Sequence, residues 1–166
     1  MAHPRQVLEV THQGDSRLPL IMKLPRIKGG DDPATIVGFE VEMMIMLRLR
    51  GRHLPRLIAK GDFTRLPCIV VAQIEASSLR PKLSQAPRAI DEVIEIGSRI
   101  ATALHDLHRQ HQVHLDIKPS DILFRDDSTA VLFDFGLSRH DHLPDLLDEE
   151  FSLPTFAPTD HPGCKR

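Results

Sequence analysis

The sequence predicts an α+β fold divided into two lobes, and three observations carry that prediction. Residues 1–78 read mostly as short strands around one helix, and residues 79–166 open on the clearest helical pattern of the chain. Between them lies EASSLRPKLSQAPR, Glu75 to Arg88, which is polar and proline-containing and reads as a connector. The expected division is a strand-rich unit, 1–78, and a helical unit, 79–166, with a hinge near Ser78.

The elements follow in order. RQVLEVTH, from Arg5, alternates loosely, QGDS supplies turn residues, and LPLIMKLP is an apolar run carrying one lysine, Lys23; together they predict a β-hairpin. KGGDDP is a loop whose paired glycines, capping Asp and final Pro33 introduce a helix. From Ala34 to Leu49 the helical spacing is set by Val37, Val41 and Met44, with Met43 and Leu47 beside them. GRHLPRL breaks it. Leu57 to Lys60 and the apolar run Cys68 to Ile74 predict two further strands. Ile90 to Arg109 predicts a helix with one stripe of Val93, Ile96, Ile100, Ala103, Leu104 and Leu107. Asp91 and Glu92 sit in its first turn, where the helix dipole favours negative charge. The acidic, leucine-rich HDHLPDLLDEEF follows, and SLPTFAPTDHPGCKR, with little apolar mass, is expected to be loose.

Composition narrows the function classes. The chain has 166 residues, 41% apolar and 27% charged, which suits a globular domain. A formal charge of −2 gives no footprint for nucleic acid or an anionic membrane, and the absence of Trp and Tyr weakens any base-stacking role. Cys68 and Cys164 stand far apart with no partners at metal-ligand spacing, which fits a reducing compartment. With no apolar run of membrane-spanning length and no signal-peptide core at the start, the expected location is the cytoplasm.

The chemistry concentrates in HLDIKPSDILFRDDSTAVLFDFG, His114 to Gly136. Asp116 is followed by Lys118, Asp121 and, eighteen residues on, Asp134. Carboxylates and an ammonium so close together, flanked by Ile, Leu, Val and Phe, suit either an ion pair beside a hairpin or a device that holds a phosphate and its metal. The spacing resembles the catalytic loop and metal motif of the Ser/Thr protein kinases, H-R-D-x-K-P-x-N followed by D-F-G. The agreement covers several residue types over more than twenty positions, where a lone D-F-G would be a weak signal.

The resemblance runs outward along nearly the whole chain and points to a bacterial kinase of the eukaryotic type with a partial bilobal kinase fold. IMK, ending in Lys23, resembles the V-A-I-K strand whose lysine grips the α- and β-phosphates. GFEVEMMIML resembles the family's helix C, with Glu42 a better partner for Lys23 than Glu40, because Met46 and Leu49 follow at the positions that would seat the helix. IVVAQIEASSL resembles the strand and hinge that meet adenine, with Val71 as gatekeeper and the backbone of Ala72, Gln73 and Ile74 bonding the base. The resemblance then implies roles: Asp116 receives or orients the proton of the attacking hydroxyl, Lys118 offsets charge on the transferred phosphate, and Asp134, with Asp121, holds Mg²⁺. Leu123 packs under the adenine of ATP, and His114 and Phe135 pack behind the site. Such chemistry needs positioning and charge neutralisation more than covalent help, and Mg²⁺ prefers oxygen ligands.

Several residues also have plainer readings. Alone, Lys23 would be a strand lysine with its stem on apolar surface, and Glu40 and Glu42 the wet face of a helix. His105, His108, His111 and His114 recur every third residue, yet the helix ends among them and no cysteine is near, so a zinc site is not expected. Gly29 and Gly30 form a turn rather than a phosphate loop.

Four departures from the family pattern qualify the expected activity. No G-x-G-x-x-G precedes Lys23; Leu115 stands for the arginine of H-R-D; Asp121 stands for the asparagine; and after Ala157-Pro158 the A-P-E glutamate and the large helices beyond it are not found. The expectation is a truncated domain whose phosphate transfer to Ser/Thr hydroxyls is impaired. Two rival readings remain at this stage: a nucleotide-binding pseudokinase, and a small-molecule phosphotransferase, which Lys118 and the Phe-Gly pair disfavour. A protein substrate or partner is expected. So is self-association through apolar surface left exposed on the second lobe.

Overall fold

The computed structural model describes residues 5–12, 15–25, 33–62, 64–84 and 86–146. The Gly29-Gly30 loop, most of LLDEEF, Ala157-Pro158 and Cys164 lie outside the described residues.

The first lobe is an antiparallel sheet of four strands in the order β1-β2-β4-β3: β1 Arg5–His12, β2 Asp15–Pro25, β3 Leu57–Lys60 and β4 Ile69–Ala72. The hairpin read from the sequence is present, with Val7 opposite Lys23 and Glu9 opposite Ile21. The pairing of β2 with β4 sets Ile21 against Val71 and Lys23 against Ile69. Residues directly opposite share a face of the sheet, so Val7, Ile21, Lys23 and Val71 converge on one side. The strand expected over Cys68–Ile74 is shorter, Ile69–Ala72, with one further bond to β2, from Gln73 N–H to the Pro19 carbonyl, before the chain turns away.

One helix, α1 Pro33–Met46, lies between strands β2 and β3. It is apolar on most sides rather than along one stripe, and its burial matches: Val37, Phe39, Val41, Met43, Ile45 and Met46 are all buried. The helix stops three residues before Leu49, the sequence-based end. Arg48 N–H bonds the Ile45 carbonyl at 2.9 Å, a tightening that closes the last turn.

The connector is more structured than its composition suggested. It contains β5 Ala76–Ser78 and a short helix, α2 Arg80–Leu83. β5 joins a second sheet, β5-β7-β8, with β7 Ile122–Arg125 and β8 Ala130–Leu132. The long helix α3 spans Ile90–His108, one residue short of the expected end, with Arg109 as its cap. Its stripe is buried only toward its C-terminal end: Ala103 and Leu107 are in the core, Ile96, Ile100 and Leu104 are half-buried against it, and Ile90, Val93 and Ile94 face solvent. No helix among the described residues is long and apolar enough to cross a membrane.

One core unites these elements, from Phe39 and Ile45 of α1 through Ile69 and Val71 of β4 to Leu107 of α3 and Phe135. The α1–β3 loop, which the sequence reading treated only as a helix breaker, ties it further. The buried His53 donates from Nδ1 to the Ala130 carbonyl at 2.7 Å, and its own carbonyl accepts from Leu132 N–H at 2.9 Å. Its Nε2 lies 3.4 Å from Asp106 on α3.

Candidate functional site

Strand β2 and helix α1 bring Lys23 and Glu42 together across nineteen residues of sequence. Lys23 Nζ donates to Glu42 Oε1 at 2.6 Å, and the Glu42 side chain is 1% exposed. Glu42 can be buried because α1 is apolar around it and the ammonium meets it there; an isolated carboxylate in that position would be costly. Glu40, two residues earlier, is half-exposed. The Lys23 ammonium also lies 5.7 Å from the centre of the Phe133 ring.

These groups edge a cavity of about 310 Å³ whose walls include Lys23, Val71, Ala72, Gln73, Ile74 and Leu123. All six were singled out from the sequence. The five other lining residues, Val7, Ile21, Pro55, Ala76 and Phe133, were not named as site residues. The signal for Val7 was the alternation of β1 combined with its register against Lys23, and for Phe133 its place directly before Asp134. Of the backbone donors along this wall, Ala72 N–H is bonded to the Arg56 carbonyl and Gln73 N–H to the Pro19 carbonyl, both at 2.9 Å. Ile74 N–H makes no hydrogen bond among the described residues.

The second group of residues is built on a short loop. After β6 Gln112–Val113, His114 turns inward and is 1% exposed. Its Nε2–H donates to the Phe133 carbonyl at 3.1 Å, its ring lies 5.1 Å from that of Phe135, and Ser138 Oγ donates to its carbonyl at 2.9 Å. The histidine therefore fastens the catalytic-loop sequence to the D-F-G sequence. Burial holds its pKa below the usual 6.5, against a weaker upward pull from the Phe133 carbonyl, Asp121 and Asp116.

Lys118 bridges two carboxylates. Its Nζ donates to Asp116 Oδ2 at 2.7 Å and lies 3.3 Å from Asp121 Oδ2. The bond to Asp116 raises the lysine pKa above its ordinary value. Pro119 then opens a 3₁₀ turn, Pro119–Asp121, that carries Asp121 into the interior, where it is 2% exposed. Phe133 N–H bonds the Asp121 carbonyl at 3.1 Å, so Asp121 is held beside the residue preceding Asp134.

Two backbone angles mark the same region. Leu115 and Asp134 adopt φ of 62° and 71°, the left-handed region that L residues seldom occupy. One directly precedes Asp116 and the other is itself a site carboxylate. Strain of this kind persists where surrounding packing fixes the conformation, and buried His114 and Phe135 supply that packing.

The geometry thus unites Lys23 with Glu42 at the edge of an apolar cavity, and Asp116, Lys118 and Asp121 with one another on the loop after β6. No set of three or more His, Cys, Asp or Glu side chains placed to hold a metal occurs among the described residues. A divalent ion here would rest on Asp134 and Asp121 together with oxygen atoms of water and substrate, the donor set that Mg²⁺ favours. Asp121 fits that use in donor type: its buried Oδ2 faces the Lys118 ammonium at 3.3 Å and accepts no hydrogen bond of good geometry among the described residues.

Comparison with known proteins identifies the family. Residues 7–150 match the family model for protein tyrosine and serine/threonine kinases. The chain is 31% identical over 122 residues to serine/threonine-protein kinase PknL of Mycobacterium bovis, a stretch covering 73% of this chain and 31% of that protein. It is likewise 31% identical over 132 residues to the probable serine/threonine-protein kinase PknB of Lactococcus lactis, covering 79% of this chain and 21% of that protein. The matched stretches span about a third or less of these relatives.

Proposed function

The chain belongs to the protein tyrosine and serine/threonine kinase family, and from that premise we propose that it binds ATP in the cavity beside Lys23 and transfers phosphate to Ser or Thr hydroxyls of a protein. One observation supports this above the others: the Lys23–Glu42 pair stands at the edge of a cavity walled by Val71, Ala72, Gln73, Ile74 and Leu123. In this reading the adenine lies over Leu123 and accepts a hydrogen bond from Ile74 N–H, the donor that the sheet has not used. Lys23, held in place by Glu42, meets the α- and β-phosphates. Asp116 orients the attacking hydroxyl and takes its proton, and Lys118 neutralises charge on the transferred group. Asp134 and Asp121 would hold Mg²⁺, which supplies further charge neutralisation when bound. The division into units 1–78 and 79–166, a cytoplasmic location, a protein substrate, and self-association through the open face of α3 belong to the same proposal.

Calorimetry with ADP tests the binding half. ADP is expected to bind weakly, with affinity falling at least about tenfold when Mg²⁺ is withheld or in Asp134→Asn. Tight, metal-independent binding would refute the assignment of Asp134. Transfer to a generic protein substrate is expected to be slow and to drop at least about a hundredfold in Asp116→Asn. Nucleotide binding with no transfer above the Asp116→Asn background would make the chain a nucleotide-binding module instead.

A further inference from the structure

A second cavity, of about 550 Å³, shares Pro55 and the Ala72–Ile74 segment with the first and is otherwise lined by different residues. Its wall carries three arginines from three separate places: Arg50 after α1, Arg56 before β3, and Arg125 at the end of β7. All three are exposed, and none has a carboxylate within ion-pair distance among the described residues, although Arg50 Nη1 donates to the Leu49 carbonyl at 2.7 Å and Arg125 attracts the Asp127 carboxylate from farther off. The nearby Asp127 is already engaged, one oxygen by Arg52 at 3.1 Å and the other by Thr129 N–H at 2.9 Å. An anion seated among these three guanidinium groups would offset their like charges and accept hydrogen bonds from their remaining donors.

The backbones beneath these side chains are fixed. Gln110 clamps Arg50 reciprocally, accepting from its N–H at 2.8 Å and donating to its carbonyl at 2.9 Å. The Arg56 carbonyl is bonded by Ala72 N–H, and Arg125 N–H bonds the Thr129 carbonyl at 3.1 Å. A ligand would therefore meet three charges whose anchor points need no rearrangement, which lowers the entropic cost of binding.

The rest of the wall mixes apolar Leu49, Leu54, Pro55 and Leu57 with the exposed Gln73. The volume falls in the range of ligand pockets, roughly 300–1,000 Å³, and exceeds what a single inorganic anion would fill. We propose that this cavity is a docking site for an acidic peptide segment, with carboxylates meeting Arg50, Arg56 and Arg125 and an apolar side chain between them resting on Leu54 and Leu57. Because the arginines are solvent-exposed, binding should weaken as salt is added.

Fluorescence anisotropy with a fluorescein-labelled peptide alternating leucine and glutamate tests the proposal directly, alongside a companion peptide with glutamine in place of glutamate. The glutamate peptide is expected to bind the whole chain at least about tenfold more tightly than the glutamine peptide. Arg56→Glu and Arg125→Glu should each weaken it about tenfold, and Lys60→Glu, a surface change outside the cavity, should leave it unchanged. If a charge reversal prevents folding, Arg56→Gln and Arg125→Gln give the same comparison in milder form. Equal binding of the two peptides, or full binding by both arginine variants, would overturn the proposal. Pyrophosphate that displaces the peptide as effectively as unlabelled peptide does would overturn it too, by making the site one for simple anions.

Discussion

The two lysine–carboxylate pairs of the candidate site sit in opposite settings. Lys23 and Glu42 come from a strand and a helix nineteen residues apart, and their side chains are 14% and 1% exposed. Lys118 and Asp116 are two residues apart on one loop, and theirs are 41% and 39% exposed. The first pair is part of the packing that joins α1 to the sheet. The second is held by local chain geometry and stays open to water and to a reacting group. The same chemical pair therefore performs two tasks. Buried, it fixes the position of a helix; exposed, it would, on the proposed function, keep a base and a cation ready beside a substrate.

Removing each lysine should separate these tasks. Lys23→Met leaves the Glu42 charge buried without its ammonium and is expected to cost about 3–5 kcal/mol, a large part of the roughly 5–15 kcal/mol that a domain typically holds. The double variant Lys23→Met/Glu42→Leu should recover most of that loss, because an apolar pair of similar volume replaces a buried ion pair at little cost. Lys118→Met should change stability by no more than about 1 kcal/mol. Urea unfolding midpoints report all three. Similar losses for Lys23→Met and Lys118→Met would mean that burial does not distinguish the pairs.

A smaller effect is expected where α1 meets the D-F-G sequence. Gly38 approaches the Gly136 backbone so closely that an added Cβ would stand 3.1 Å from the Gly136 carbonyl oxygen. Gly38→Ala must push the helix and the loop apart by a few tenths of an ångström, at a cost of about 1–3 kcal/mol set against the roughly 1 kcal/mol that Ala gains over Gly within a helix. If α1 carries Glu42 with it, ADP affinity should fall as well. Calorimetry that finds ADP binding unchanged in a destabilised Gly38→Ala chain would show that Glu42 keeps its place independently of this contact.

Legibility in the sequence followed the range of each interaction. The loop from His114 to Asp121 and the D-F-G residues are local, so their resemblance to the kinase motif was enough to mark Asp116, Lys118, Asp121 and Asp134 as candidates. The helix α3 was legible because its stripe is periodic, and Lys23 and Glu42 because each lies in a recognisable stretch. The features that escaped depend on distant pairing. β5 is polar and forms only because Ala76–Ser78 meets Leu123–Arg125. Val7 reaches the cavity through register, and His53 sits in a stretch that looks like a simple break. The exposure of Ile90, Val93 and Ile94 was equally invisible to periodicity, since a stripe records what can be buried and not how far along the helix a neighbour reaches.

The smallest effect concerns His114, which belongs to the exposed loop by sequence and to the core by burial. Burial holds its pKa below 6.5, the ordinary histidine value, and its Nδ1 makes no hydrogen bond among the described residues. As the pH drops through 6.5 and below, the unfolded chain binds a proton at this residue that the folded chain resists, so folding loses stability on acidification. His114→Phe removes that linkage and keeps a ring against Phe135. It also leaves the Phe133 carbonyl without its donor, which costs about 1 kcal/mol near neutral pH. The variant should therefore be less stable than the parent at about pH 7.5, and the gap should narrow or reverse at about pH 5, where a neutral buried histidine becomes a liability. Urea unfolding at the two pH values measures it, and a gap that stays constant would show that His114 takes up its proton as easily in the folded chain as in the unfolded one.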